Sequence, residues 1–375
     1  MNDSIIVIGG GIVGLSCALE LRRRGADVTL LETGVCGGQA SGAAAGMLAP
    51  YSEVPEAPDE FFALCRESLE LYPAWQRSVR EDSGLDFEYT ECGSLYAAYH
   101  EADLPALESR LRWQRRHGSS GRILRGAELR EAEPGLSGEV RAALWTPQES
   151  HVYAPDFVAA LKEACLRSGV RIRERLGALE LAAWEPRIEA RSRGGEVFAA
   201  GQAVVCTGAW AGEWSARLGL RIPVQPIRGQ ICAYEWREER APLRHMVFCS
   251  QGYLVQKANG TLVCGASEDV AGFDTSVTER GIARLMRWNK RVLPALGQAE
   301  PFHRWAGLRP ATLDGRPLIG RLERAERVLF AAGHYRNGIL LSPVTAKLIG
   351  DCAEGRPLPD WQRAFRPERF GAAAR

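Results

Sequence analysis

The chain has 375 residues, 46% of them hydrophobic, and a formal net charge of +1. That length allows about two domains with a sizeable core, and the balanced charge excludes the basic surface typical of nucleic-acid-binding proteins. Ten scattered cysteines without a CxxC pair exclude a disulfide framework or a zinc site, so we expect free thiols, no bound metal and a cytoplasmic location.

The first apolar run extends from residue 5 to residue 19 and is interrupted by glycines. It follows Asp3, no Lys or Arg precedes it, and it is shorter than the ~20 residues of a membrane span. We therefore expect neither a signal peptide nor an association with a membrane.

Residues 4–32, SIIVIGGGIVGLSCALELRRRGADVTLLE, have the order strand, glycine turn, helix, strand. In the GxGxxG pattern, Gly9 permits a tight turn, Gly11 lets a pyrophosphate approach the backbone, and Gly14 lets the helix pack closely on the sheet. Glu32 ends the second strand, where a carboxylate accepts hydrogen bonds from an adenosine ribose and repels a 2′-phosphate. The unit predicts a dinucleotide site that binds NAD or FAD rather than NADP.

Residues 37–50, GGQASGAAAGMLAP, are small, apolar and rich in glycine. Such a stretch lets the backbone lie against a large flat ligand, and it lacks the polar composition of a solvated linker. This composition favours a flavin, and therefore FAD, over NAD.

The middle of the chain contains further helices and strands. We predict a helix from Phe61 to Arg80, a strand within residues 92–99, and a helix that Asp156 caps after a proline. A hairpin-like stretch from Leu179 to Phe198 follows. The sequence AVVCTGAW then predicts a parallel strand that ends at Gly208.

Alternation of apolar and polar residues dominates from Pro223 to about Arg304, and GQICAYEW, GYLVQK and GTLVCGAS predict antiparallel strands. A closing strand, Val328 to Ala332, precedes a final helix with Pro343 in its first turn. We therefore expect a mixed α/β fold in which a Rossmann-like FAD-binding domain and an antiparallel-sheet substrate domain are each discontinuous in sequence. The FAD-binding domain is assigned residues 1–85, 152–220 and 304–364, and the substrate domain 86–151 and 221–303. Residues 365–375 are a tail, in which RFGAAAR, residues 369–375, is expected to be disordered.

Four motifs carry a resemblance to a known family: IIVIGGGIVGLSCALELRRRG, ASGAAAGML, WAGLRPATLDGRPLIG and AAGHYRNGILLSP. They resemble the glycine oxidase (ThiO-type) branch of the D-amino-acid oxidase superfamily, and the likeness continues through VVCTGAWAGEW and PVQPIRGQI. The resemblance implies noncovalent FAD, a two-domain fold and a homotetramer. It also implies oxidation of glycine, sarcosine and small D-amino acids by hydride transfer to flavin N5, with O2 consumed and hydrogen peroxide released. In that family the glyoxylate imine supplies the thiazole of thiamine.

Three side chains are the candidate substrate ligands. Arg309 lies in an apolar setting, where a guanidinium needs a partner and matches a carboxylate in two-point geometry; the alternative is a structural bridge to Asp314. Tyr253 alternates with Val255 on a predicted strand, so either packing or substrate contact is open from pattern alone. The resemblance implies that Arg309 and Tyr253 hold the substrate carboxylate and that Arg336 lies at the substrate.

The residues predicted to contact the cofactor come from the fingerprint, the small-residue run and the 333–341 stretch. They are Gly9, Gly11, Ile12, Val13, Gly14, Glu32, Thr33, Ala40, Ser41, Ala45, Gly46, Met47, Ala178, Gly208, His334, Tyr335, Asn337, Gly338, Ile339 and Leu340. Main-chain amides at residues 337–339 are expected at a helix start near flavin N1 and O2, where they favour the reduced, anionic ring. No residue is assigned as a catalytic acid or base, because hydride transfer from a neutral amine needs none.

Glu268 occupies a place where the resemblance implies an apolar residue beside the substrate's amine or α-carbon. A carboxylate there either attracts an ammonium group or faces the solvent, and we expect the solvent-facing orientation because surface acids are commoner.

Alternative functions remain open at this level. The enzyme alternatives are a related secondary-amine oxidase and a dehydrogenase that passes electrons to a dye or quinone. The alternative from another class is a flavin-binding regulatory protein, which would not need a carboxylate-binding arginine.

Overall fold

A computed structural model of the chain describes residues 4–54, 58–236 and 242–372. The strands are β1 (Ser4–Ile8), β2 (Asp27–Leu31), β3 (Met47–Leu48), β4 (Tyr89–Thr90), β5 (Ser94–Ala98), β6 (Arg122–Arg125), β7 (Ala142–Thr146), β8 (Ser150–Val152), β9 (Arg171–Arg173), β10 (Leu179–Ala183), β11 (Ile188–Ser192), β12 (Val197–Ala200), β13 (Gln202–Val205), β14 (Val224–Glu235), β15 (Met246–Cys249), β16 (Gly252–Gln256), β17 (Thr261–Gly265), β18 (His303–Thr312), β19 (Leu318–Arg321) and β20 (Val328–Ala332). The helices are α1 (Ile12–Arg23), α2 (Ala40–Ala43), α3 (Pro50–Glu53), α4 (Glu60–Ser83), α5 (Leu104–Arg116), α6 (Gly126–Ala132), α7 (Ala154–Arg167), α8 (Ser215–Leu218), α9 (Glu279–Val292) and α10 (Ser342–Ala353).

A six-stranded sheet with the order β19-β20-β13-β1-β2-β9 forms the centre of one half of the molecule. Its strands are parallel except for β19, which pairs antiparallel with β20. Alternate residues of β1 face opposite sides. Ile5 and Val7 pack with α1, α4, α7 and α10, whereas Ile6 and Ile8 pack against the three-stranded sheet β10-β11-β12. Burial on both faces explains the continuous apolar run of β1.

An eight-stranded sheet with the order β18-β14-β17-β16-β15-β5-β7-β6 forms the other half. It is antiparallel except between β15 and β5, which run parallel, so one pair departs from the predicted arrangement. Helix α9 packs on this sheet through Ile282, Leu285 and Trp288. The fold is thus the predicted combination of a Rossmann-like unit with a largely antiparallel sheet.

We propose the two discontinuous domains named above, with one boundary that the hydrogen bonding places differently. Strand β18 pairs with β14 along its whole length, from Thr312 opposite Val224 to His303 opposite Ala233. Because of this pairing, β18 belongs to the eight-stranded sheet, although the predicted boundary at residue 304 assigns most of the strand to the FAD-binding domain.

Several local predictions need correction. Tyr153, not Asp156, is the N-cap of α7, and Asp156 lies within the first turn, where its charge is still favourable. The strand before Gly208 ends at Val205, and Gly208 begins a 3-10 helix, Gly208–Trp214. The stretch from Leu179 to Phe198 contains three strands rather than a two-stranded hairpin, because β12 pairs with β11.

The predicted disordered tail is also corrected where the structure describes it. Residues Pro367–Phe370 form a 3-10 helix, and Arg369 donates to Asp314 at 2.8 Å. Ala372 forms a bridge with Leu220. Residues 373–375 lie outside the described residues.

All ten cysteines are free thiols, and seven of them are buried. Across residues 4–54, 58–236 and 242–372, no three His, Cys, Asp or Glu side chains group as metal ligands would. Within the same residues, every helix is too short or too polar to traverse a bilayer.

Candidate active site

A cavity of about 1330 Å³ is lined by residues of both sheets. One end is formed by the glycine turn after β1, the end of β2 and the small-residue run, and the other by β16, β18 and the 333–339 segment. Since a drug-sized ligand typically fills ~300–1,000 Å³, this volume suits a dinucleotide together with a small substrate.

The glycine turn has no room for side chains. A Cβ at position 14 would overlap the carbonyl oxygen of Gly9, and one at position 9 would overlap the carbonyl oxygen of Cys206. The amide of Ile12, at the first turn of α1, donates to Ser41 Oγ at 2.9 Å. The close approach of helix and turn directs the free amides of the helix start into the cavity, the arrangement that binds phosphate.

Glu32 lies at the end of β2 and lines the cavity. Its carboxylate accepts hydrogen bonds from the amides of Gly10 at 2.6 Å and Gly34 at 2.7 Å, and from the Thr33 hydroxyl at 3.1 Å. A carboxylate has about four acceptor positions, so these bonds fix its orientation and leave capacity for a ribose hydroxyl.

The side chains in the run of residues 37–50 are small partly because strand β18 packs against them. Trp305 Nε1 donates to the carbonyl of Ala43 at 2.9 Å, and a Cβ on Gly307 would lie 2.8 Å from Ala43 Cβ. The composition of this run alone predicts only the approach of a flat ligand. The structure adds close packing between the two halves of the molecule at the same residues.

The 333–341 segment turns before α10 rather than beginning it. The helix starts at Ser342, and the amide of Leu341 bonds to the carbonyl of Asn337, so the predicted helix start at 337–339 is wrong by several residues. In the described chain, the amides of Gly338 and Ile339 have no hydrogen-bond acceptor, and both residues line the cavity. Free amides before a helix N-terminus still provide the positive environment that suits a reduced flavin.

His334 is buried beneath this turn, with Nε2 at 3.0 Å from Thr345 Oγ1. Burial lowers the pKa of His334 to about 3, so the imidazole is neutral at physiological pH. A neutral, hydrogen-bonded ring is consistent with a packing role and not with proton transfer.

Arg309 and Tyr253 meet above two glycines at the other end of the cavity. A Cβ at position 229 would overlap the Arg309 guanidinium, and one at position 265 would overlap the Tyr253 hydroxyl. Gly229 lies on β14 beside β18, and Gly265 is paired with Tyr253 across β17 and β16. Because neither glycine has a side chain, the Arg309 guanidinium and the Tyr253 hydroxyl can occupy these positions.

The structural alternative for Arg309 is not formed. Asp314 instead binds Arg369, with 2.8 Å between Oδ2 and Nε. Arg309 Nη1 donates to the carbonyl of Ser267 at 2.9 Å, and in the described part of the chain no carboxylate forms an ion pair with it. A guanidinium with five donors and one carbonyl partner leaves a two-point face for a ligand carboxylate.

Arg336 has the opposite surroundings. Its Nε lies 3.3 Å from Glu53 Oε2, and its Nη1 lies 3.4 Å from Glu268 Oε1. The Tyr335 hydroxyl donates to the same Glu268 oxygen at 2.8 Å. Glu268 is exposed, as expected, but it also lines the cavity, and its carboxylate contacts Tyr335 and Arg336.

Glu53 is the main residue that the sequence did not indicate. It comes from α3, whose sequence PYSE carries no motif, and only the fold brings it to Arg336. Burial raises the pKa of Glu53, while Arg336 and Arg309 oppose that shift. Other cavity-lining residues that the sequence did not signal are Ser52, Tyr96, Arg110, Trp210, Phe248 and Arg284.

A buried carboxylate supports the segment that carries Glu53. Glu149 accepts hydrogen bonds from the Ser52 amide at 2.8 Å and the Ser52 hydroxyl at 2.6 Å, and it also accepts one from the Ser94 hydroxyl. Arg110 donates to the Ser52 carbonyl at 2.5 Å. This network fixes α3 against the eight-stranded sheet.

Glu149 should make stability depend on pH. Burial raises its pKa from 4.5 to about 7, so the folded chain binds more protons than the unfolded chain between these values. The contribution of protonated Glu149 to folding stability is fully present below pH 4.5 and is lost as the pH rises through 7. The stability of Glu149→Gln relative to the parent should therefore increase between pH 5 and pH 8, by at most about 3 kcal/mol. Thermal unfolding of both proteins at several pH values measures this difference in stability. The exposed residue Glu70 provides the control, and Glu70→Gln should differ from the parent by the same amount at each pH. A difference for Glu149→Gln that is constant with pH would contradict the prediction.

Most of the predicted ligands lie together on the cavity wall. These are Gly9, Gly11, Ile12, Val13, Glu32, Thr33, Ala40, Ser41, Ala45, Gly46, Met47, Ala178, Gly208, Tyr253, Arg309, His334, Tyr335, Arg336, Gly338 and Ile339. Gly14, Asn337 and Leu340 are not on the wall: Gly14 packs against the Gly9 backbone, and the other two are buried behind the turn.

Comparison with known proteins agrees with this geometry. Residues 4–352 match the DAO family of FAD dependent oxidoreductases. Glycine oxidase from Geobacillus kaustophilus is 34% identical over 355 residues, which cover 93% of this chain and 92% of that protein. Its crystal structure superposes with a TM-score of 0.91 over 98% of this chain and 99% of that one, at 32% identity. The bifunctional protein ThiO/ThiG of Synechocystis is 33% identical over 98% of this chain, which corresponds to 54% of that protein.

A glycine turn without space for side chains, a carboxylate with an acceptor position to spare and free amides before α10 fit an FAD molecule. The match covers nearly the whole chain. This chain belongs to the FAD dependent oxidoreductase (DAO) family, in its glycine oxidase branch, and its cofactor is FAD.

Proposed function

We propose that the chain catalyses the oxidative deamination of glycine, with sarcosine and small D-amino acids as further substrates. The observation that carries this proposal is Arg309, whose guanidinium faces the cavity without an ion pair in the described chain. An arginine in such a position needs an anionic partner, and a substrate carboxylate supplies one.

The side chains around Arg309 fit an amino acid substrate. Burial raises the pKa of Tyr253 well above its ordinary range, so its hydroxyl remains a proton donor to a carboxylate beside Arg309. The other end of a small substrate would lie towards Glu53 and Arg336. We expect these contacts to orient the α-carbon of the substrate.

When bound, FAD would supply the redox chemistry, which is acceptance of a hydride at flavin N5 and reoxidation by O2 to give hydrogen peroxide. The amino acid would react as its neutral amine and, having lost a hydride, leave as the protonated imine, which water hydrolyses to the oxo acid and ammonium. The chain's own residues bind the substrate and orient it. We assign no general acid or base, because hydride transfer from a neutral amine needs none.

The cellular role that we propose is supply of the glyoxylate imine for the thiazole of thiamine. The likeness to a protein named ThiO/ThiG supports this role. We further propose a cytoplasmic homotetramer, as the family resemblance implies.

A substrate panel tests the reaction. Purified holoprotein should consume O2 and release hydrogen peroxide in equal amounts with glycine, sarcosine and small D-amino acids, and the ratios of kcat/KM rank the substrates. Turnover with a dye or quinone but not with O2 would identify a dehydrogenase. No turnover with any amine despite bound FAD would identify a flavin-binding regulatory protein.

The cofactor should be bound without a covalent link. Cys206 and Cys249 line the cavity, and the scattered cysteines of the chain carry no signature for covalent attachment. The purified protein is therefore expected to be yellow, and acid precipitation should release the colour as FAD into the supernatant. Colour retained in the pellet would contradict a noncovalent cofactor, and release of NAD would contradict the choice of FAD.

A further inference from the structure

The two arginines at the substrate end of the cavity differ in how their charges are compensated. Arg336 lies between two carboxylates, 3.3 Å from Glu53 and 3.4 Å from Glu268. Arg309 has no ion pair in the described chain and bonds only to the Ser267 carbonyl. Of these two arginines, Arg309 is therefore the one whose charge is left for a ligand carboxylate.

The formal charges of these four side chains sum to zero. A ligand with one carboxylate places that negative charge against the guanidinium of Arg309, which has no ion pair in the described chain. A ligand with a second carboxylate adds one negative charge, which would face Glu53 and Glu268 rather than a free cation, and like charges placed together are costly. Two further arginines lie on the cavity wall. Arg110 already donates to the carbonyls of Ser52 and Val54, and the charge of Arg284 is screened by solvent because that residue is exposed.

Glu268 is the more exposed of the two carboxylates and lies on the loop between β17 and α9. Its position is fixed by the Tyr335 hydroxyl at 2.8 Å, so it remains beside Arg336. Removing its charge would leave Arg336 paired with Glu53 alone, and the site would then hold a net charge of +1.

We propose that Glu268 determines specificity by compensating Arg336, so that the site accepts ligands with one carboxylate and rejects those with two. This inference rests on the proposed function, because it assumes that a substrate carboxylate binds at Arg309. Since the side chain of Glu268 is 53% exposed, solvent screens part of the interaction and a moderate effect is expected.

Anion binding to the yellow holoprotein tests the inference without turnover. Glycolate and hydroxymalonate differ by one carboxylate, and each Kd is measured from the perturbation of the flavin absorbance. In Glu268→Gln the affinity for hydroxymalonate relative to glycolate should rise at least about fivefold over the parent. Glu268→Ala should shift the ratio in the same direction. Glu268→Asp, which keeps the charge, should shift it less than Glu268→Gln.

The matched control is Glu108→Gln, because Glu108 is 51% exposed and lies 3.3 Å from Arg125, away from the cavity. An unchanged ratio in Glu268→Gln, or an equal shift in Glu108→Gln, would overturn the inference. If neither anion perturbs the flavin, no carboxylate binds beside Arg309 and the inference also falls. If the ratio shifts as expected while glycine yields no peroxide, the proposed function fails and the role of Glu268 stands.

Discussion

Replacing Arg309 with leucine is expected to lower the apparent affinity for glycine by roughly 30-fold or more. The loss of one partner from a buried, charge-assisted pair costs ~2–5 kcal/mol, because the remaining charge is left unpaired. Arg309→Lys should recover part of the loss, since the charge persists but the planar two-point geometry does not. Steady-state peroxide formation as a function of glycine concentration measures both variants.

Two controls separate this effect from a general disturbance of the strand. Arg304→Leu removes an arginine from the same strand, β18, at a position where the guanidinium pairs with Glu279 and Glu300. It should retain activity with glycine, and all variants should retain FAD. A simple amine without a carboxylate should be a poor substrate for the parent and should lose little further in Arg309→Leu. Glycine oxidation by Arg309→Leu at nearly parental efficiency would contradict the proposed role.

Replacing Gly14 with alanine is expected to abolish stable FAD binding. The added Cβ would overlap the Gly9 carbonyl oxygen, which is backbone and cannot rotate away, and it would also lie 3.3 Å from Cys206 Cβ. Helix α1 must then move away from the turn, and the amides at its start leave the positions that would hold the pyrophosphate. We expect a largely colourless protein with FAD affinity reduced by about 100-fold or more, measured by FAD content after purification and by titration of the apoprotein.

The matched control for this change is Gly138→Ala. A Cβ at position 138 meets no atom within 4 Å, and its backbone does not require a positive φ. It should keep a full complement of FAD and a melting temperature close to that of the parent. Full FAD content in Gly14→Ala would show that the fingerprint tolerates a side chain and does not bind the pyrophosphate as described.

The nucleotide unit could be predicted because its signals are local. Gly9, Gly11 and Gly14 are close in sequence. The apolar runs on either side of them are typical of strands that a parallel sheet buries on both faces. Strand β20 has the predicted bounds, Val328–Ala332, for the same reason. The antiparallel strands of the second sheet were also predicted, but not the parallel pair of β15 with β5, which joins residues about 150 positions apart.

The substrate end could be predicted only in part. The apolar setting of Arg309 suggested a ligand-binding arginine, but the need for Gly229 beneath its guanidinium depends on the register between β14 and β18. Glu53 was missed because a short helix without a motif carries it, and its partner Arg336 is 283 residues away. The competing bridge to Asp314 could not be excluded from sequence, because its actual partner, Arg369, approaches from the C-terminal segment.

Glu268 shows the limit of composition-based reasoning. Surface acids are common, and that frequency favoured a solvent-facing side chain. Half of the side chain is in fact exposed, but one carboxylate oxygen is bound by Tyr335 and faces Arg336. A residue at a cavity wall can be exposed and still belong to the site. Only its contacts in the folded structure distinguish it from an acid that faces solvent alone.

The most direct test of the proposed function is a single anaerobic mixing experiment. Glycine is added to the yellow holoprotein without O2, and the flavin absorbance is followed before and after air is admitted. If the chain is a glycine oxidase, the absorbance should fall as one glycine is consumed per flavin, and air should restore it with one hydrogen peroxide formed per flavin. Absorbance that stays unchanged at saturating glycine, in protein with a full complement of FAD, would contradict glycine oxidation.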